Sequence, residues 1–212
     1  MTSNAGLVHR TVEARDGQAP HPVLLLLHGR GSHELDLLAL APGLDARFFV
    51  ISARAPHAWM GGFRWFDSDG PSRHDSFNQS LEQLEAFVDE LGQVYPVDAS
   101  KLYLLGFSQG STMANALTLT APEKVAGAVL LSGSQPALEA SRIRKEAVRG
   151  KPIFVAHGTM DPMLELDRGR AVRAALSGLE VDLTYREYPM GHQIIEPELA
   201  DINAWLIAPL GP

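Results

Sequence analysis

The sequence predicts an α/β domain: a mostly parallel sheet of about seven strands with helices on both faces. Three observations carry this. Short, continuous apolar runs recur from end to end, and such runs are strands buried on both faces. Amphipathic stretches at helical spacing lie between them, which is the alternation of a parallel sheet and its crossover helices. The 212 residues are 45% hydrophobic and free of repeats, low-complexity tracts and linkers, which suits one domain over residues 1–212 with a large core.

Taken in order, residues 7–14 alternate and read as an edge strand. Residues 23–27 are a continuous apolar strand, followed by a glycine-bearing loop at 28–32. Residues 34–40 are a short helix candidate, and 48–52 another strand. Residues 53–74, with five glycines and prolines and two of the three tryptophans, read as irregular and functional. Phe77, Leu81, Leu84, Val88, Leu91 and Val94 then mark an amphipathic helix. Ser76-x-x-Gln79 is its expected capping box, and Pro96 ends it. A strand is expected from Leu102 and a helix over 111–119, then a strand at 125–131. Residues 136–150 are polar and carry no clear period. The remainder reads as strand 153–156, helix 166–176, strand 181–188 and helix 197–206, with Pro197 suited to a first turn.

A net charge of -7 argues against nucleic acid and anionic membranes as main partners. The absence of cysteine excludes a disulfide scaffold, a thiolate nucleophile and a thiolate metal site. Residues 1–20 are polar, without an apolar signal core, and the run at 23–27 is too short to span a bilayer. The expectation is a soluble, cytoplasmic protein with no membrane insertion.

Gly106-Phe107-Ser108-Gln109-Gly110 reads Gly-x-Ser-x-Gly between an apolar run and a run of small residues. That context is a strand, a sharp turn and a helix, with the serine hydroxyl held clear of the sheet. From average glycine and serine usage, the bare motif arises by chance in roughly 5–10% of chains this long, so its surroundings must decide. A serine hydroxyl needs an imidazole to take its proton and a carboxylate to orient that imidazole. Such groups collect at the carboxyl ends of strands in an open α/β sheet. His157-Gly158-Thr159-Met160-Asp161-Pro162 follows the strand at 153, and Pro189-Met190-Gly191-His192 follows the strand at 181. The order Ser108, Asp161, His192 is that of an α/β-hydrolase. An oxyanion hole needs backbone N–H donors. Gln109, after the nucleophile, supplies one, and Arg30, in the loop His28-Gly29-Arg30-Gly31-Ser32, supplies the other through its main chain.

Other residues have plainer readings. His28 and His157 each precede a glycine at a strand end and are read as structural. His33, His57 and His74 lack ligand-like spacing, so no metal site is expected. Asp167 falls inside a helical pattern, and Asp67 comes too early in the chain and suits a structural role in its loop. Phe63, Arg64 and Trp65 are read as a wall of the substrate site, with Arg64 near a polar or anionic substrate group.

With these residues in place, the chain resembles the phospholipase/carboxylesterase family of small α/β-hydrolases, which includes acyl-protein thioesterases and bacterial carboxylesterases. The matching pieces are residues 27–31, Ala55-Pro56-His57, Gly61-Gly62, Trp65-Phe66-Asp67, the Ser108 pentapeptide, residues 157–162 and Gly191-His192, within residues 23–207. The resemblance implies an α/β-hydrolase fold without a large lid domain, no metal or organic cofactor, and hydrolysis of esters or thioesters through a serine acyl-enzyme. It also supports Arg30 and Gln109 as oxyanion donors. Two positions depart from the family pattern: Ser32 stands where Asp or Glu is usual, and Met163-Leu164-Glu165 where a proline is usual. The reading is a serine carboxylesterase for small to medium acyl groups. Its partners are a small-molecule ester and, at most, a second copy of the chain as a homodimer. The alternatives are an acyl thioesterase or lysophospholipase and, in another class, a catalytically idle hydrolase fold used for binding.

Overall fold

In the computed structural model, which describes residues 6–211, the apolar runs assemble into one sheet. The first five residues of the polar N-terminal stretch lie outside the described residues, as does Pro212. The strands are β1 (His9–Val12), β2 (His21–Leu27), β3 (Phe49–Ala53), a small pair β4 (His57–Trp59) and β5 (Gly62–Arg64), then β6 (Val97–Phe107), β7 (Gly127–Leu131), β8 (Pro152–Gly158) and β9 (Asp182–Tyr188). Seven of them form the main sheet in the order β1-β3-β2-β6-β7-β8-β9. β1 runs antiparallel along β3, with His9 opposite Ala53, and every other pairing in the sheet is parallel. The expected edge strand is thus an edge strand, and the carboxyl ends of β2, β6, β8 and β9 lie at one rim.

The helices are α1 (Arg73–Val94), α2 (Gln109–Thr120), the single turn α3 (Lys145–Val148), α4 (Leu166–Ser177) and α5 (Glu196–Ile207). They cover both faces because the strands are apolar on both faces. One core gathers Leu25, Leu27 and Leu104 with Phe77, Leu81 and Leu84 of α1, Met113 and Leu117 of α2, and Val172 and Leu176 of α4. The other gathers Leu24, Leu26 and Leu105 with Leu37 and with Ile202 and Leu206 of α5. Leu24, Leu25, Leu26 and Leu27 are all fully buried, so consecutive residues of β2 feed opposite cores. None of the described helices is long and apolar enough to cross a membrane.

Four expectations need correction. Residues 34–40 do not make an α-helix; a 3-10 helix forms at Leu37–Gly43 instead, with Pro42 inside it and so unable to donate an α-helical bond. α1 begins at Arg73 with Ser72 at its N-cap, so Ser76 does not cap it. Ser76 is buried within the first turns, where its Oγ accepts the Asp67 N–H at 3.0 Å. β6 starts at Val97, five residues early; its pairing with β2 jumps from Pro22–Asp98 to Val23–Leu102, so Ala99, Ser100 and Lys101 bulge from the ladder. Residues 53–74 are not wholly irregular, because they hold the β4–β5 pair.

Candidate active site

β6 runs straight into Ser108, whose backbone lies at φ 55, ψ -116. A non-glycine residue rarely adopts a positive φ, and such strain persists only where the surroundings impose it. Here the Ser108 N–H donates to Leu131 O at 2.9 Å, tying the turn to β7, and α2 starts at the next residue. Two glycines make the turn sterically feasible. A Cβ on Gly106 would lie 2.3 Å from Gly110 O, and a Cβ on Gly110 would lie 1.9 Å from Leu27 O and 2.7 Å from His28 O. α2 can therefore press against both the end of β6 and the loop after β2.

That loop passes beside the serine: a Cβ on Gly29 would lie 3.3 Å from both Phe107 Cδ1 and Ser108 Cβ. Its far side is secured to β5, where Phe63 O accepts the Gly31 N–H at 2.8 Å and the Phe63 N–H donates to Ser32 O at 2.8 Å. The Arg30 N–H bonds to nothing among the described residues. The Arg30 guanidinium turns outward over the Trp59 ring, 4.9 Å from its centroid, and donates to Ser68 Oγ. The Gln109 N–H is in the first turn of α2, where N–H groups have no acceptor within the helix and the helix dipole is positive.

The carboxylate and imidazole come from the next two parallel strands. Asp161 lies on the loop after β8, with its side chain wholly buried. Oδ1 accepts the Met163 and Leu164 N–H groups, each at 2.9 Å, and Oδ2 accepts His192 Nδ1–H at 2.7 Å. A proline at 163 or 164 would remove one of these donors, so Met163-Leu164 suits the carboxylate. Burial pushes the Asp161 carboxyl up, but Leu164, His192 and Met163 together outweigh it and hold it below the usual carboxylate range. With Nδ1 donating to a carboxylate, His192 presents Nε2 as an acceptor. Its ring is 10% exposed and packs against Phe107, the neighbour of Ser108, with centroids 4.8 Å apart.

His28 and His157 have backbone partners. His28 Nδ1–H donates to Gly29 O at 2.7 Å and Nε2 accepts the Ala55 N–H at 3.0 Å. His157 Nε2 bonds to Leu164 O at 2.7 Å and so braces the Asp161 loop. Asp67 accepts from Ser72 at 2.5 Å and pairs with Arg64 at 2.5 Å, a role within its own loop. Asp167 lies in the first turn of α4, 87% exposed. Among the described residues no group of three His, Cys, Asp or Glu side chains could hold a metal ion.

The expected substrate wall fares differently. Trp65 is fully buried and presents no surface to a substrate; its indole Nε1–H donates to His28 O at 2.9 Å. The Phe63 ring carries the Arg54 guanidinium at 4.4 Å, and Arg64 is already paired with Asp67. Sequence reasoning missed the side chains that do offer apolar surface on the Asp161 loop. Met160 and Met163 bracket Asp161, and each is 64% exposed. Their place within two residues of the carboxylate was the available signal. Sequence reasoning also missed Glu34, 3% exposed, which clamps Arg54 in a bidentate pair at 2.6 Å and pins the segment after Ser32 to the end of β3. Ser32 itself donates to Asp36 Oδ2 at 2.7 Å, so the departure at this position is met within the loop.

The chain is 31% identical to an acyl-protein thioesterase 1 of Debaryomyces hansenii over 163 residues, 74% of this chain and 70% of that one. A carboxylesterase of Bacillus cereus superposes with a TM-score of 0.85 at 29% identity, covering 96% of this chain and 94% of its own. A carboxylesterase of Mesorhizobium loti, at 24% identity, shares the fold with a TM-score of 0.87 over 98% of both chains. The phospholipase/carboxylesterase family model matches residues 9–208. The chain is therefore an ester-bond hydrolase belonging to the phospholipase/carboxylesterase family.

Proposed function

We propose that the protein is a serine carboxylesterase acting on small to medium acyl groups. The observation that carries this reading is the 2.7 Å bond from His192 Nδ1–H to the buried Asp161 carboxylate, on loops adjoining the strained turn at Ser108. In the reaction, His192 Nε2 takes the Ser108 proton as Oγ bonds to the ester carbonyl carbon. The carbonyl oxygen becomes an oxyanion held by the Arg30 and Gln109 N–H groups, each such donor being worth about 10²–10³ in rate. Collapse breaks the bond to the alcohol oxygen, which takes the proton from His192. Water then attacks the acyl-enzyme by the same route, releasing the acid and free Ser108. Asp161 remains ionised throughout and stabilises the imidazolium. Met160 and Met163, exposed on the Asp161 loop, are the apolar side chains that this reading assigns to acyl contact.

An acyl thioester is a second substrate class, favoured by the likeness to the acyl-protein thioesterase of Debaryomyces hansenii. A rate profile across p-nitrophenyl esters of increasing chain length, with an acyl thioester beside them, tests both. Turnover should peak at short to medium esters and be lost in Ser108→Ala. A preference for the thioester or for long chains overturns the substrate assignment, and turnover retained in Ser108→Ala overturns the mechanism.

A further inference from the structure

Trp65 is the largest fully buried side chain, and every polar group it owns is bonded. Its N–H donates to Gln109 Oε1 at 3.0 Å, its carbonyl accepts from Ser80 Oγ, and its indole Nε1–H donates to His28 O at 2.9 Å. Gln109 Nε2 completes a clamp by donating to Phe66 O at 3.0 Å. A chain of bonds thus runs from the Gln109 side chain, through Trp65, to the carbonyl of His28.

Peptide planarity carries this chain onward. A carbonyl and the N–H of the following residue lie on one rigid plane and point in opposite directions. Trp65 therefore fixes the plane shared by His28 and Gly29. His28 Nδ1–H, donating to Gly29 O at 2.7 Å, fixes the next plane, whose N–H is that of Arg30. The imidazole can do this only with the proton on Nδ1, and the Ala55 N–H, donating to Nε2 at 3.0 Å, selects that tautomer. Burial lowers the His28 pKa and so favours the neutral ring.

We infer that His28, Trp65 and the Gln109 side chain form a positioning frame that aims the Arg30 and Gln109 N–H groups at a single oxyanion. The inference rests on the esterase reading of Ser108. Both donors hang from the frame, one from the His28 loop and one from the elbow residue whose side chain clamps Trp65. The frame sets their separation before substrate arrives, which is the preorganisation that makes such donors effective.

Trp65→Phe removes the indole N–H, and Gln109→Met removes the clamp while keeping the Gln109 main-chain donor. The expected result for each, with p-nitrophenyl butyrate, is a kcat lower by about 10–100-fold, part of what loss of a whole donor costs, and a KM within about twofold of wild type. Affinity for a trifluoromethyl ketone, whose adduct carries the oxyanion, should fall by the same factor. A merely structural role would move neither the kcat/KM split nor the selective loss of ketone affinity. Thermal melts identify the folded variants. A cooperatively folded variant with wild-type kcat and ketone affinity overturns the frame. If one variant fails to fold the other decides, and failure of both assigns these contacts to the fold alone and overturns the inference. Ser108→Ala separates the two readings: retained turnover overturns the esterase mechanism and the frame with it, whereas Ser108-dependent turnover with an undiminished Trp65→Phe overturns only the frame.

Discussion

His192 Nδ1–H donates to Asp161 Oδ2 at 2.7 Å, on a carboxylate whose other oxygen already accepts two backbone N–H groups. The carboxyl is thereby held below the usual carboxylate range and is anionic throughout the neutral pH region. Asp161→Asn keeps the shape but replaces the acceptor by an amide that can favour the wrong imidazole tautomer. kcat should fall by about 10³–10⁴-fold in a variant that still melts cooperatively, at a lower temperature than wild type. Steady-state kinetics and a thermal melt of the same preparation check this; a kcat within tenfold of wild type would remove Asp161 from the mechanism.

Gly110→Ala tests the close approach on which the elbow depends. The added Cβ would lie 1.9 Å from Leu27 O, main chain of a fully buried strand end. Either α2 or the loop after β2 must shift. Overpacking of this kind costs about 1–3 kcal/mol, and the shift also separates the two oxyanion donors. Urea unfolding should show the loss as a lower midpoint, with turnover falling by at least about tenfold; an unchanged midpoint contradicts the packing described.

Two buried glutamates predict opposite pH slopes of stability. Burial pushes Glu198, in the first turn of α5, up to about 8, against the lowering effect of the Ile195 N–H. Between its unfolded value of 4.5 and about 8, the folded state binds the extra proton, so stability falls as pH rises through that window. Glu198→Gln should flatten the decline in Tm from pH 5 to 8 and raise Tm at pH 8.5 relative to wild type. Glu34 runs the other way. Its bonds to Arg54 hold it at about 2, so its contribution is present above 4.5 and disappears as pH falls toward 2. Glu34→Gln should cost about 1–3 kcal/mol at pH 7 and little at the acid end. Melts across pH decide both, and parallel wild-type and mutant curves would contradict either assignment.

The features legible in the sequence are those with a local chemical cause. The strand at 153–156 and the loop that follows it could be read because an unbroken apolar run ends at His157-Gly158; β9, before His192, is instead an edge strand whose Asp182, Arg186 and Glu187 are exposed. The β4–β5 pair could not be read, since three-residue strands show no alternation and this pair is held by main-chain bonds to Gly31 and Ser32, far away in sequence. The first turn of α1 was hidden because Arg73, His74 and Asp75 are exposed and polar, and the start of β6 because its bulge carries Ser100 and Lys101. Trp65 was misassigned for a related reason. Composition marks an aromatic cluster in a loop as a binding wall, but only the tertiary fold shows its indole spent on the His28 carbonyl.

Everything proposed for this site depends on Ser108 being the activated nucleophile. Intact-mass spectrometry and peptide mapping after a stoichiometric fluorophosphonate test it directly. The expected result is one added phosphonyl group, located on Ser108, complete loss of esterase activity at one equivalent, and no adduct in Ser108→Ala. An enzyme that stays active and unlabelled at Ser108, or that carries the adduct on another residue, would contradict it.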